Sequence, residues 1–184
     1  MSSPATQTTS PVIYTLGTGD MLLEHISRRC ECLGVEYIID LRSPPYDFGR
    51  KDLWPKPLHD YLAEREIRYV NMHQSLGDRP EDISVYVQSG RRIDYRKCYE
   101  RQWAQQGLQR IINAYELDLR ICLLDREADP RKSHRARFVG PWLAQQGIPV
   151  RHLATSGTWL TQREVEHMIE TVWTQKTHLS WVYT

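Results

Sequence analysis

Residues 119–124, Leu-Arg-Ile-Cys-Leu-Leu, form the most apolar segment of the chain, interrupted only by Arg120. A strand that is apolar at successive rather than alternate positions has to be covered on both faces. That requirement points to a parallel sheet between two layers of helices, and the rest of the sequence supplies the parts. Short apolar or β-branched runs recur at 12–16, 37–42, 67–72 and 150–154; Pro11 and Gly17 bound the first, and Ser43-Pro44-Pro45 ends the second. Between them lie helical spacings. Leu22, Leu23, Ile26, Cys30 and Leu33 follow Asp20 as a helix cap and stop at Gly34. Leu58, Tyr61 and Leu62 share a face over 57–65, and Tyr99, Trp103, Leu108, Ile111 and Ile112 do so over 95–115. A helix over 133–146 presents Phe138, Val139, Trp142 and Leu143 to a core, with Pro141 inside it as a source of a kink. Thr161-Gln-Arg-Glu164 is a capping box that opens a C-terminal helix.

Strands alternating with helices predict a single three-layer α/β domain over 12–184. Its sheet is mostly parallel and five-stranded, with helices on both faces in a Rossmann-like arrangement. Residues 1–11 read as a disordered Ser/Thr/Gln-rich tail. The stretch 73–93, with Gly77, Pro80 and Gly90, reads as a long functional loop. A length of 184 residues suits one such domain, and a net charge of +1 gives no global basic field that would by itself attract nucleic acid. No apolar run is long enough for a membrane span, and the N-terminus has no apolar secretion core, so a cytoplasmic protein is expected. Cys30, Cys32, Cys98 and Cys122 lack zinc-ligand spacing and read as ordinary thiols. No metal or cofactor is expected. Gly17-Thr-Gly19 follows the first strand, but Leu22 stands where a dinucleotide fingerprint needs its third glycine.

In such sheets ligands bind beyond the carboxyl ends of the strands. The densest polar cluster, Asp125-Arg-Glu-Ala-Asp-Pro-Arg-Lys-Ser-His-Arg135, leaves the most apolar strand at that end and enters a helix. Ser133 is placed as its N-cap, and the helix start offers free N–H groups and a positive dipole end. With Arg126, Arg131, Lys132, His134 and Arg135 around it, this end suits phosphate or carboxylate. A direct Ser133–His134 bond is not assured, because adjacent helical side chains diverge by about 100°. Asp125, Glu127 and Asp129 are spaced loosely like a metal loop, but the cations around them disfavour a divalent ion. Asp40 and Arg42 fall on one side of the second strand. They read equally as an acid and a cation lining the crevice or as a structural ion pair. His59, His73 and His152 read as surface or satisfied core residues.

These segments together resemble a bacterial and archaeal family catalogued as domain of unknown function 488. Tyr14-Thr-Leu-Gly-Thr-Gly19, Asp40-Leu-Arg-Ser-Pro-Pro45, Leu76-Gly-Asp78, Glu127 with Pro130 and Ser133-His-Arg135, and Gly147 with Val150 and His152 follow its motifs in order. The resemblance implies an α/β fold and shared polar positions at Asp40, Arg42, Glu127, His134 and Arg135, but no activity. Thr18, Asp78 and Ser133 depart from it, standing where the family carries histidine, glycine and cysteine.

The leading expectation is an enzyme, or an enzyme-derived domain, that binds a small anionic ligand such as a nucleotide or phosphorylated metabolite. Asp40, Glu127 and His134 would do acid–base work; Arg42, Arg131, Ser133 and Arg135 would hold the anion. Asp40, Arg42, Glu127 and Arg135 should then converge in one concave site. A second reading is a nucleic-acid accessory protein using a stripe from Arg91, Arg92 and Arg96 to Arg135 and Arg137. A third is an interaction module with a degenerate pocket and a contact surface at Trp173 and Trp181. The sequence sets no oligomeric state.

Overall fold

The computed structural model of the chain describes residues 11–87 and 92–180, with side chains up to residue 171. The expected tail at 1–10, Arg91 of the basic stripe, and Trp173 and Trp181 of the C-terminal surface lie outside what is described.

The order of elements is β1 (Ile13–Gly17), α1 (Leu23–Cys32), β2 (Tyr37–Asp40), α2 (Pro55–Ala63), β3 (Arg68–Asn71) and α3 (His73–Leu76). Then come α4 (Tyr95–Tyr99), α5 (Gln102–Glu116), β4 (Ile121–Asp125), α6 (Gly140–Gln145), β5 (Val150–Leu153), β6 (Trp159–Thr161) and α7 (Gln162–Ser180). The sheet has six strands in the order β3-β2-β4-β1-β5-β6, one more than expected. The added strand, β6, is three residues long and runs antiparallel to β5; so short a segment leaves no period-2 signature. All other pairings are parallel.

Strand order decides which helices cover which face. The connections β1 to β2 and β2 to β3 run one way along the sheet, and those from β3 to β4 and β4 to β5 run the other. Because parallel crossovers are right-handed, the two sets lie on opposite faces. Two cores result. On one face Ile38, Cys122 and Leu124 of the sheet pack against Ile26 and Cys30 of α1 and Leu58 and Leu62 of α2. On the other, Ile39, Ile121 and Leu123 meet Leu108 and Ile111 of α5 and Leu143 of α6. The continuous apolarity of β4 is explained: all five of its residues are buried, alternately in one core and the other.

Several local features differ from the sequence expectations. The first helix has no side-chain cap, and Leu22 rather than Asp20 precedes it. The helix expected over 95–115 breaks between α4 and α5, where Arg101 is extended at φ −93°, ψ 135° and forms an ion pair with Asp82. The helix after β4 opens with a π-helical turn, Arg135–Val139, in which the Gly140 N–H reaches back to the Arg135 carbonyl. Pro141 cannot donate the next backbone bond, and the widened turn accommodates its ring. The stretch 73–93 carries α3, a 3-10 turn at Ile83–Val85 and a bridge between Tyr86 and Ile93.

Two adjacent strands, β1 and β4, send their following chain to opposite faces, so the site region lies at their carboxyl ends. There the loop after β4 lies across the end of β1: Thr18 N–H donates to the Asp125 carbonyl and Gly19 N–H to that of Arg126. The approach is so close that a Cβ on Gly17 would stand 1.9 Å from the Glu127 carbonyl oxygen. Gly17→Ala should therefore lower unfolding free energy by about 1–3 kcal/mol, the usual cost of forcing extra volume into a packed site. Urea denaturation reads this as a lower midpoint at an unchanged slope, and an unchanged midpoint would show that the loop yields freely.

Candidate functional site

Asp125 ends β4, paired in register with Gly17 of β1. Alternation puts its side chain on the same face as Ile121 and Leu123, under the start of the following helix. The residue is 1% exposed, and a buried carboxylate is tolerated only with partners. Its Oδ1 accepts the Arg126 N–H at 2.6 Å. Its Oδ2 accepts the Ser133 hydroxyl, lies 3.1 Å from His134 Nδ1 and 3.6 Å from Arg135 Nη1. Ser133 Oγ in turn accepts the Arg135 N–H at 3.2 Å, so Ser133 does cap the helix start as its position suggested. Burial opposes the charge on Asp125, but His134, Arg135 and Ser133 together hold its carboxyl well below the usual carboxylate range. Burial likewise opposes a charge on His134; the Asp125 carboxylate outweighs it and raises the imidazole above its ordinary value, with Asp78 adding in the same direction. The pair is a buried carboxylate–imidazole couple in which the charged form of the ring is favoured.

His134 uses only one edge of its ring in that couple. Nε2 is buried and has no hydrogen-bond partner among the described residues. The residue lines a cleft of about 1180 Å³ that opens beyond β4, with Glu127, Lys132, Ser133 and Arg137 on its near side and Asp78 and Tyr95 across from them. Lys132, Arg137 and Glu127 are exposed there. Tyr95 stacks on Phe138 at 5.4 Å, and burial pushes its hydroxyl up to about 12.

Behind the couple runs a row of buried polar groups. Arg135, fully buried, donates from Nε to Thr15 Oγ1 at 3.0 Å and from its other nitrogens to the carbonyls of Glu127, Ala128 and Leu153. Thr15 bonds His152 Nδ1 at 2.8 Å, and His152 Nε2 bonds Gln162 Oε1 at 2.6 Å. Burial, aided by the charge of Arg135, lowers His152 to about 4, so it is neutral in this row. The reading of His152 as a satisfied core residue describes this arrangement well.

The sheet itself divides the residues expected to converge. Asp40 shares a face with Ile38, opposite the Asp125 face. Its carboxylate accepts Arg42 Nε at 2.8 Å and Nη2 at 2.7 Å, and the Tyr69 hydroxyl at 2.7 Å; Arg42 also donates to the Leu53 carbonyl at 2.7 Å. Both residues are buried and neither lines the cleft, so of their two readings the geometry is that of a structural ion pair fixing the loop after β2. Arg131 is tied to Asp129 by Nε at 2.9 Å and Nη2 at 2.8 Å and does not line the cleft either. The structure brings Glu127, Ser133 and His134 to the cleft, sets Arg135 behind it and leaves Asp40, Arg42 and Arg131 elsewhere. The basic stripe also loses Arg135 to the interior, and Arg101 to its pair with Asp82.

The sequence reading passed over Asp125 as a site residue, although it opens the cluster. The signal was present: a carboxylate at the last position of the most apolar strand must be buried and must recruit cations. Thr15 and Gln162 gave no comparable signal, because a threonine in a strand and a glutamine at a helix start are ordinary.

An open three-layer α/β sheet with a polar cleft at the carboxyl ends of its central strands defines the class. Within it, residues 23–140, well over half of the chain, match the family described as Domain of unknown function DUF488, and the chain belongs to that family. No curated protein matches it.

The couple sets a pH dependence of stability. Raised in the fold, His134 contributes fully below its unfolded value, near 6.5, and that contribution is lost as pH rises through its folded value. Asp125, depressed in the fold, contributes above its unfolded value, near 3.9, and is lost as pH falls. Urea unfolding should show stability highest near pH 6.5, declining above it as His134 loses its proton and below it as His152, held down to about 4 in the fold, is protonated only in the unfolded chain. Asp125→Asn should cost about 3–5 kcal/mol near pH 6, the usual penalty for breaking one side of a buried pair. It should also abolish the decline above pH 6.5; a variant that retains the parent's slope would show that His134 is not charged by Asp125.

Proposed function

We propose that the cleft beyond β4 binds a small anionic ligand, a phosphorylated metabolite or nucleotide, with His134 as the central recognition group. The observation that carries this reading is the buried Nε2 of a cleft-lining histidine whose Nδ1 is held by Asp125, an atom with no partner among the described residues. An imidazolium in that setting keeps one N–H without an acceptor there, at the edge of the cleft. A buried donor left unmade is costly, and an anionic oxygen satisfies both its hydrogen bond and its charge. Lys132 and Arg137 add exposed positive charge on the same wall. The helix start contributes in the same sense.

The same geometry fits an enzyme or enzyme-derived site in which His134 is the proton donor. A raised imidazolium next to a leaving oxygen is a competent general acid. Glu127, exposed at the cleft, is the carboxylate available for the opposite role. Ser133 does not fit the part of nucleophile. Its proton is directed to Asp125, and a carboxylate held so far below its usual range is a poor base.

Thermal shift against inorganic phosphate and nucleoside monophosphates tests this. At a ligand concentration about a hundredfold above Kd the parent should gain about 2.7 kcal/mol of apparent stability. His134→Asn should lose that gain, Lys132→Ala should reduce it, and the parent's affinity should weaken as pH rises through the His134 titration. Absence of any shift in the parent with this whole set removes the reading.

A further inference from the structure

The row behind the cleft has a direction fixed by its own chemistry. Gln162 donates from Nε2 to the Ala136 carbonyl at 2.9 Å and to Glu166 Oε1 at 2.8 Å, so its Oε1 is left to accept. His152 must therefore carry its proton on Nε2. Neutral His152 then offers a lone pair at Nδ1, which takes the Thr15 hydroxyl proton, and Thr15 Oγ1 is free to accept Arg135 Nε–H. Every group is used once. The row is also closely packed at its far end, where a Cβ on Gly140 would come within 2.0 Å of Gln162 Oε1. At its near end, Arg135 holds the carbonyls of Glu127 and Ala128 and stands 3.6 Å from the carboxylate that holds His134.

We propose that Thr15 and His152 are positioning residues for His134: by taking up Arg135 Nε–H they keep the guanidinium from displacing His134 on Asp125 Oδ2. Neither lines the cleft; they stand on β1 and β5 behind its wall. Without the Thr15 acceptor, Arg135 Nε–H is a buried donor with no partner, and the Asp125 carboxylate already stands 3.6 Å from the same guanidinium. Arg135 then turns to the carboxylate and competes with the imidazolium. The groups that face His134 are Asp125 from β4, Asp78 from the loop after α3, and Ser133 and Arg135 from its own segment. Of these, Arg135 is the one whose placement depends on the row.

This inference rests on the proposed cleft for its effect on binding, but not for its effect on His134, so two readouts separate them. The first is the titration of the His134 ring followed by NMR in the ligand-free protein. The second is the affinity for inorganic phosphate. Thr15→Val keeps side-chain shape and removes the acceptor; Thr15→Ser keeps the acceptor. Thr15→Val should lower the His134 midpoint and weaken phosphate binding about tenfold, and Thr15→Ser should match the parent in both. His152→Asn, which retains an acceptor for Thr15, should stay close to the parent, whereas His152→Leu, which leaves the Thr15 hydroxyl free to turn away from Arg135, should shift both readouts in the same direction as Thr15→Val and by less. If Thr15→Val does not fold, the Asn and Leu pair at 152 decides; if Leu fails as well, His152→Asn against His152→Gln, which lacks the acceptor at the Nδ1 place, decides. An unchanged His134 titration in a folded acceptor-deleted variant, or equal shifts with and without the acceptor, overturns the proposal. Phosphate that fails to bind the parent removes the cleft reading and leaves the titration to judge the positioning role.

Discussion

Asp125 holds a charge where the sheet is most apolar, and the site is arranged around keeping that charge satisfied. An unpaired carboxylate 1% exposed would be protonated or would unfold the region. Four donors prevent this: the Arg126 N–H, the Ser133 hydroxyl, His134 and, slightly further off, Arg135. They come from one stretch of chain, so satisfying the carboxylate also folds the loop after β4 back over the end of β1. That fold-back is what makes Gly17 necessary. A single buried charge thus accounts for a close backbone contact, a helix cap and the protonation of a histidine.

The sheet explains why this centre is separate from the other buried ion pair. Asp40 and Asp125 both stand at strand ends and each faces cations two to ten residues on in sequence. One residue of alternation parity puts them on opposite faces, with their own cores beneath them. Asp40 and Arg42 close on each other and on Leu53 and Tyr69, and both carboxylate oxygens have partners. His134 differs in that its second ring nitrogen has none among the described residues. That difference, and not the number of charges, separates a pair that holds a loop from the one on which the proposed site rests.

Much of the architecture was legible in the sequence, because burial on both faces leaves a run such as Ile121 to Leu124 with little alternative to a central strand. The placement of β2, β3 and β5, and the capping box now seen between Thr161 and Glu164, followed from equally local signals. The site was legible in position but not in composition. Reading charge clusters along the chain grouped Glu127, Ser133 and His134, close neighbours in sequence that line one cleft. It also grouped Asp40 and Arg42 with them, since strand register between β2 and β4, Asp40 opposite Leu124, is not written in either strand alone. Short departures such as β6 and the π-helical turn arise from tertiary fit around Pro141 and the β5 edge, which period and propensity do not report.

Two polar residues close to His134 bear on its charge. Ser133 donates its hydroxyl proton to Asp125 and caps the helix start; a thiol in its place would be a weaker donor and cap less well. Asp78 lines the same cleft and favours the charged imidazole. Both act in one direction, toward a carboxylate that stays ionised and a histidine whose protonated form is favoured. A cysteine at 133 next to an imidazolium would instead be a candidate thiolate. The residues at 78 and 133 therefore suit the proposed site to anion recognition and proton donation rather than to nucleophile chemistry, with Thr15, Arg135 and His152 as the scaffold behind it.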